Sequence, residues 1–298
     1  MLVLARRVDA CRLRRVRGRS RQVNRPDQAL RIARAGLRAA AGAGRQTVSM
    51  DRATTLDALD LESSRFLVAV SSGTASLKTP VPTCPDWDMS QLVNHLGYIY
   101  SRTALIVSDR RAAAPDRSEL PVPPEDDARI GWFAEQRTAM LTALEATPDD
   151  ALVWNFAAGG PAPASFWPRR MAQETLIHRV DAELAQSLTP ALGDPELAAD
   201  NIAEFFEIFF PRFEARLLES GPAGSLHLHA TDVPEAEWTL DLRPGGSVLT
   251  REHTRGDASV RGSAFDLACW AWRRLPAERL ETFGDPQIAS RFQEAARI

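Results

Sequence analysis

From Met50 onward, apolar residues recur at helical spacing, and Leu56, Leu59, Phe66, Leu67 and Val70 predict a first helix over about residues 52–71. The loop Thr79-Pro80-Val81-Pro82-Thr83-Cys84-Pro85 then demands extended backbone, because each proline fixes its own φ and disfavours helix in the residue before it. Asp88 can cap the next helix, with Gln91 as its capping-box partner, and that helix runs to about Val107. A third helix, about Asp126–Ala146, places Ile130, Phe133, Met140, Leu141 and Leu144 mostly on one side. After Trp154-Asn155-Phe156 and a loop at Gly159–Pro163, a fourth helix is predicted over about Trp167–Gln186. Four helices of this length, each with one apolar face, bury those faces most economically as a bundle.

Beyond Pro195 the pattern changes. A helix rich in phenylalanine (Phe205, Phe206, Phe209, Phe210, Phe213) reaches about Pro222, and short alternating runs follow at Ser225–Ala230, Trp238–Leu242, Ser247–Thr254 and Ala258–Arg261. Pro244-Gly245-Gly246 is a hairpin signal between the second and third runs. Two closing helices, about Ser263–Leu275 and Asp285–Arg297, complete a smaller α/β unit with a short, mainly antiparallel sheet. The fold class is therefore α+β, with a helical bundle over residues 50–190 and the second unit over 195–298.

Charge separates a further segment from this body. The 298 residues carry a formal net charge of −3, yet residues 1–50 hold 13 Arg against only Asp9 and Asp27, about +11. Subtracting these from totals of 36 basic and 39 acidic residues leaves 23 and 37 downstream, about −14. The basic head has no Phe, Tyr or Trp to stack on bases, no zinc-finger spacing and no apolar run of signal-peptide length, so no nucleic-acid or membrane partner is expected. An Arg-rich targeting segment and an anion-binding arm remain alternatives. Residues 1–49 read as a disordered extension or a start-site artefact, and a chain beginning at Met50 is expected to keep full activity and metal content. Cys11, Cys84 and Cys269 form an odd, widely spaced set without CxxC, which points to a reducing cytoplasm. No stretch approaches the roughly 18 apolar residues of a membrane span.

The chemistry-bearing residues lie on the bundle helices. His95 shares an i, i+3, i+4, i+7 stripe with Leu92, Leu96 and Ile99, so it faces inward; alone, it reads equally as a hydrogen-bonded core histidine. On the fourth helix, Glu174, His178 and Asp181 form one polar line at i, i+4 and i+7, flanked by Met171, Ile177 and Leu184. Burying that line without a partner would cost several kcal/mol. A divalent metal held by His95, Glu174 and His178 would remove the cost: two imidazoles and a carboxylate, with a position open, are a catalytic zinc donor set. Asp181 could orient an imidazole from behind or be a surface acid. Cys84 at a helix start is a weaker nucleophile candidate, and His227 and His229, alternating on a strand without a third ligand, read as surface or interdomain residues. Trp270 and Trp272 read as core.

The surrounding segments carry a resemblance. Val81-Pro82-Thr83-Cys84-Pro85-Asp86-Trp87, Leu92-Val93-Asn94-His95-Leu96-Gly97, Phe166-Trp167-Pro168-Arg169-Arg170-Met171-Ala172-Gln173-Glu174 and His178-Arg179-Val180-Asp181-Ala182-Glu183 resemble the mycothiol-dependent maleylpyruvate isomerase family. Arg255–Gly262 and Ala271–Pro276 are similar to that family's second domain. The resemblance implies a DinB-like metal-binding bundle, a C-terminal domain reminiscent of sterol carrier proteins, a divalent ion (usually zinc) on His95, Glu174 and His178, and mycothiol as thiol cofactor or cosubstrate. It covers nearly all of 51–298 and none of 1–50; many members have His where this chain has Gln173, a position that projects away from the ligands. In the family isomerase the thiolate adds to the cis double bond of maleylpyruvate, the new single bond rotates, and the thiol leaves to give the trans isomer. Holding a small dianionic substrate would require cations, for which Arg169 and Arg170 are candidates, each with a solvated helix start as its alternative. Thiol S-transfer to electrophiles is the nearest other activity, and a non-catalytic ligand-binding or regulatory role is the alternative from another class.

Overall fold

The computed structural model describes residues 50–71, 76–125 and 128–297, so the reading of residues 1–49 lies outside the described residues. Helix α1 spans Arg52–Ser71, α2 Met89–Ser108, α3 Ala128–Ala146 and α4 Phe166–Ala185. Their pairing follows the apolar faces: α1 packs on α4 and α2 on α3, while α1–α3 and α2–α4 contacts close the bundle. Asp88 caps α2 as expected, accepting from the Gln91 backbone N–H, while the Gln91 side chain accepts from the Asp88 N–H. Gly97 lets α2 and α3 approach, because a Cβ there would lie 2.3 Å from the Trp132 ring. The rings of Phe66, Tyr100 and Phe133 form the bundle's aromatic centre, with centroids 4.9 and 5.4 Å apart, and the Tyr100 hydroxyl is 2.6 Å from Thr175 Oγ1.

Between α3 and α4 the chain forms a two-stranded hairpin, β1 (Leu152–Asn155) with β2 (Gly160–Pro163). The sequence pattern gives only a loop here, since Pro161 and Pro163 argue against a strand; the pair is tolerated because each strand has a free edge.

Asp194 caps α5 (Pro195–Glu204) through the backbone N–H groups of Glu196 and Leu197. The single Phe-rich helix expected beyond it is broken: a π turn at Phe205–Phe209 and a 3₁₀ turn at Phe210–Arg212 precede α6 (Glu214–Glu219). Pro211 explains the break, because it has no N–H to donate and its ring clashes with the preceding turn. Strands β3 (Gly224–Ala230), β4 (Glu237–Arg243), β5 (Gly246–Thr250), β6 (Ala258–Gly262) and β7 (Glu281–Gly284) form one sheet in the order β5-β4-β3-β6-β7. Its pairings are antiparallel except β3 with β6. The β4–β5 turn places Gly245 at φ +92°, a conformation glycine adopts freely after proline. Helix α7 (Ala264–Ala271) stops earlier than its apolar pattern suggests, because Arg273 takes φ +62°. Helix α8 (Pro286–Ala295) stacks Phe292 on Trp270 at 5.6 Å, so Trp270 is a core residue.

A buried polar chain ties the second unit to α4. Trp272 Nε1 donates to Asn201 (2.6 Å), Asn201 donates to the Gln173 side chain (3.0 Å), and Gln173 donates to Asp200 (2.7 Å). Gln173 thus faces α5, away from Glu174 and His178.

Candidate metal centre

Helices α2 and α4 bring His95, Glu174 and His178 together across the bundle. His95 Nε2 lies 3.0 Å and His178 Nε2 3.4 Å from the same Glu174 Oε1, and the donor atoms of the three lie within 4.8 Å of one another. His178 is buried, while His95 and Glu174 are partly accessible. Trp87 covers the pair of imidazoles, its ring centroid 4.9 Å from that of His95 and 6.2 Å from that of His178. It is placed by a tight loop in which Val81 N–H donates to Trp87 O (2.9 Å) and Trp87 N–H to Cys84 O (3.0 Å).

Asp181 stands behind His178. Its carboxylate accepts from His178 Nδ1 (2.8 Å), Thr83 Oγ1 (2.5 Å) and Arg274 Nε and Nη2 (2.9 and 3.1 Å). Burial opposes its charge, but Arg274 foremost, with His178, holds its carboxyl far below the usual range. Cys84, His178 and Asp181 form an overlapping donor group, but the lone pairs of Asp181 are already engaged, which leaves it as the group that fixes Nδ1 as the N–H of His178. A neutral His178 then turns the Nε2 lone pair onto a carboxylate oxygen. Two acceptors at that separation need a cation between them, a proton or a metal, and an N₂O donor set suits a borderline divalent ion such as zinc.

The electrostatics agree. Against the cost of burial, Arg170, His178 and His95 hold the Glu174 carboxyl well below the usual carboxylate range. Burial also opposes charge on His178, yet hydrogen bonds to Asp181 and Glu174 and their charges raise its pKa to about 9. Burial and the neighbouring Asp181 push the Cys84 thiol up to about 12. A thiol held protonated by burial and a neighbouring carboxylate is disfavoured as a nucleophile. Cys84 is expected to resist iodoacetamide at pH 8 in folded protein; rapid labelling of Cys84, read by mass spectrometry, would contradict this.

A cavity of about 230 Å³ adjoins the site, with Glu174 in its wall beside Ile99, Phe156 and Phe209. Three arginines border it. Arg170, buried on α4, reaches Glu174 (2.5 Å) and Glu204, and is therefore committed to orienting the site carboxylate. Arg102 lies over the Trp154 ring (4.6 Å) with a buried Nε that has no hydrogen-bond partner, and Arg212 lies over Phe209 (4.8 Å) with no carboxylate partner among the described residues. Arg169 is elsewhere: its guanidinium is spent on Asp200 (2.8 Å) and Glu207 (2.6 Å), and it is not in the wall of this cavity. Arg102 and Arg212 carry no local sequence signal; Arg274, within the Ala271–Pro276 segment, meets Asp181 across 93 residues.

Fold and site together define a helical-bundle protein with a His₂Glu donor set, joined to an α/β unit. Residues 56–183 match the family model for the mycothiol maleylpyruvate isomerase N-terminal domain, and residues 196–291 match that for the family's C-terminal domain. The chain belongs to the mycothiol maleylpyruvate isomerase family, a family of enzymes. Among solved structures it is similar to a mycothiol-dependent maleylpyruvate isomerase, at 16% identity and a TM-score of 0.53, over 80% of this chain and 95% of that one. A histidine-to-alanine mutant of the mycothiol-dependent maleylpyruvate isomerase gives a TM-score of 0.55 at the same identity and coverage. No curated protein matches the chain. Among the described residues, no helix is long and apolar enough to cross a membrane.

Proposed function

We propose that this chain is a divalent-metal-dependent, mycothiol-dependent isomerase that converts a small cis-enedioic acid such as maleylpyruvate to its trans isomer. The observation that carries the reading is the convergence of two imidazoles on one carboxylate oxygen beside a cavity with two uncommitted arginines. His95, Glu174 and His178 would hold the ion, which when bound supplies Lewis acidity and lowers the pKa of a thiol so that its thiolate is available at neutral pH. Asp181 keeps the His178 ring oriented, and Arg170 keeps Glu174 ionised and in place. Arg102 and Arg212 would take the substrate carboxylates, the role assigned by sequence to Arg169 and Arg170. The thiolate adds to one alkene carbon, the electron pair moves onto the conjugated carbonyl, the resulting single bond rotates, and expulsion of the thiolate restores the double bond as trans. The thiol is regenerated. Cys84 and Cys269 are free, which supports a reducing compartment, the cytoplasm.

Metal-loaded protein with mycothiol and maleylpyruvate is expected to give fumarylpyruvate without consuming thiol. Stoichiometric thioether formation with alkylating electrophiles, and no isomerisation, would instead make it an S-transferase. Arg212→Gln is expected to lower kcat/KM about 10–100-fold, the loss of one charge-assisted hydrogen bond of about 1.5–3 kcal/mol, mostly through KM; an unchanged KM would remove Arg212 from the substrate site.

Metal uptake should depend on pH with a definite sign. In metal-free protein the His178 pKa of about 9, above the ordinary 6.5, contributes stability fully present below 6.5 and lost as pH rises through 9. An ion must displace that proton, so apparent zinc affinity should rise about tenfold per pH unit towards pH 9 and then flatten. Competition titrations with a chelator at several pH values measure this, and a flat profile would contradict it.

A further inference from the structure

The C-terminal sheet carries a second constellation, separate from the bundle site. His227 and His229 project from one face of β3, two residues apart, and Glu237 of β4 stands opposite His229 in the ladder. The segment after β5 brings His253 beside them, a third imidazole that the strand spacing did not supply when His227 and His229 were read as surface or interdomain residues. All three rings aim a nitrogen at one carboxylate: His227 Nε2 at 2.8 Å, His253 Nδ1 at 2.7 Å and His229 Nδ1 at 3.3 Å. One donor atom from each of the four residues lies within 4.8 Å of all the others.

The arrangement is built rather than incidental. The rings are nearly perpendicular to one another, at 88°, 88° and 81°, with centroids 5.8–6.1 Å apart. Three imidazoles sharing one ion at zinc–nitrogen distances of about 2.0–2.1 Å would have centroids about 5 Å apart, so each ring would need to move inward by only about half an ångström. The segment bearing His253 is itself anchored: Thr254 Oγ1 lies 2.7 Å from Thr239 Oγ1, and Gly256 packs so closely that a Cβ would lie 3.0 Å from His227 N. His227 is buried and His253 is exposed, so an ion can reach the cluster from the His253 side.

We propose that His227, His229, His253 and Glu237 form a second divalent-metal site, selective for borderline first-row ions such as Zn²⁺, that clamps the segment between β5 and β6 onto the sheet. Three imidazoles and a carboxylate complete a tetrahedral shell, the closed coordination of a structural rather than a catalytic ion. The donors suit Zn²⁺, Ni²⁺ or Cu²⁺ and disfavour Mg²⁺ and Ca²⁺, which prefer oxygen.

The test is zinc stoichiometry on untagged, chelator-stripped full-length protein, by isothermal titration with ZnCl₂ and by metal analysis after desalting. His253→Ala removes an exposed side chain and should leave the fold intact by circular dichroism. It is expected to bind one zinc fewer than the unmodified protein, as is His229→Ala, and in each the zinc-dependent rise in Tm should shrink. The comparison is a difference, so it holds whatever the bundle site binds. Equal stoichiometry and affinity in the unmodified protein and both variants would overturn the proposal, as would a deficit in His229→Ala alone.

Discussion

Replacing His178 with alanine is expected to lower thiol-dependent kcat/KM by about 10³-fold or more, because the proposed mechanism draws several kcal/mol of transition-state stabilisation from an ion that His178 would help to hold. The loss should appear with little change in fold. Asp181 keeps Thr83 and Arg274 as partners when the imidazole is gone, and His178 is not part of the aromatic centre of the bundle. Asp181→Asn should be milder, about 10–100-fold, because it disturbs ring orientation without removing a donor. Initial rates on zinc-loaded protein decide this; activity within threefold of the unmodified enzyme in His178→Ala would remove the metal site from the mechanism.

The largest stability effect should come from Arg179, the residue next to His178. Its guanidinium is fully buried, with Nε donating to Glu62 (2.7 Å) and Nη1 to Glu183 (2.7 Å) and to Ala191 O (2.6 Å). Through Glu62 it fastens α1 to α4, the helix that carries Glu174 and His178. Arg179→Met leaves the largely buried Glu183 without its cation and the buried Glu62 with only the more exposed Arg65 (3.0 Å), and is expected to cost about 3–5 kcal/mol in urea unfolding. Adding Glu183→Gln should recover part of that loss, since the carboxylate left without a cation is then neutral. A cost below about 1 kcal/mol for the single variant would mean that water replaces the guanidinium, and the α1–α4 joint would not be set by this ion pair.

What the sequence makes legible is the local part of this architecture. Helical spacing locates the bundle helices within about two residues, and the Asp88–Gln91 box is a short-range device whose geometry follows from its composition. His95 in an apolar stripe, with Glu174 and His178 one turn apart, is likewise readable from period alone, and the structure brings the three together. Residues whose role depends on distant chain are not readable. Arg170 and Arg169 are adjacent and identical in type, yet one meets Glu174 and Glu204 and the other Asp200 and Glu207, a division made by helix rotation against α5 and the turn after it. Arg212 borders the cavity because the chain is interrupted at Pro211, and His253 joins His227 through an irregular segment with no periodicity. Strand β7 is exposed along its whole length, so it has no buried face to produce an alternating pattern.

Anomalous diffraction at the zinc edge, on crystals of metal-loaded protein, assigns each bound ion to its ligands. The proposed site requires a peak bonded to His95 Nε2, Glu174 and His178 Nε2 at about 2.0–2.2 Å, with Asp181 behind His178 and outside bonding range. Zinc-saturated crystals with no anomalous density between α2 and α4, and both imidazoles still hydrogen-bonded to Glu174, would contradict it.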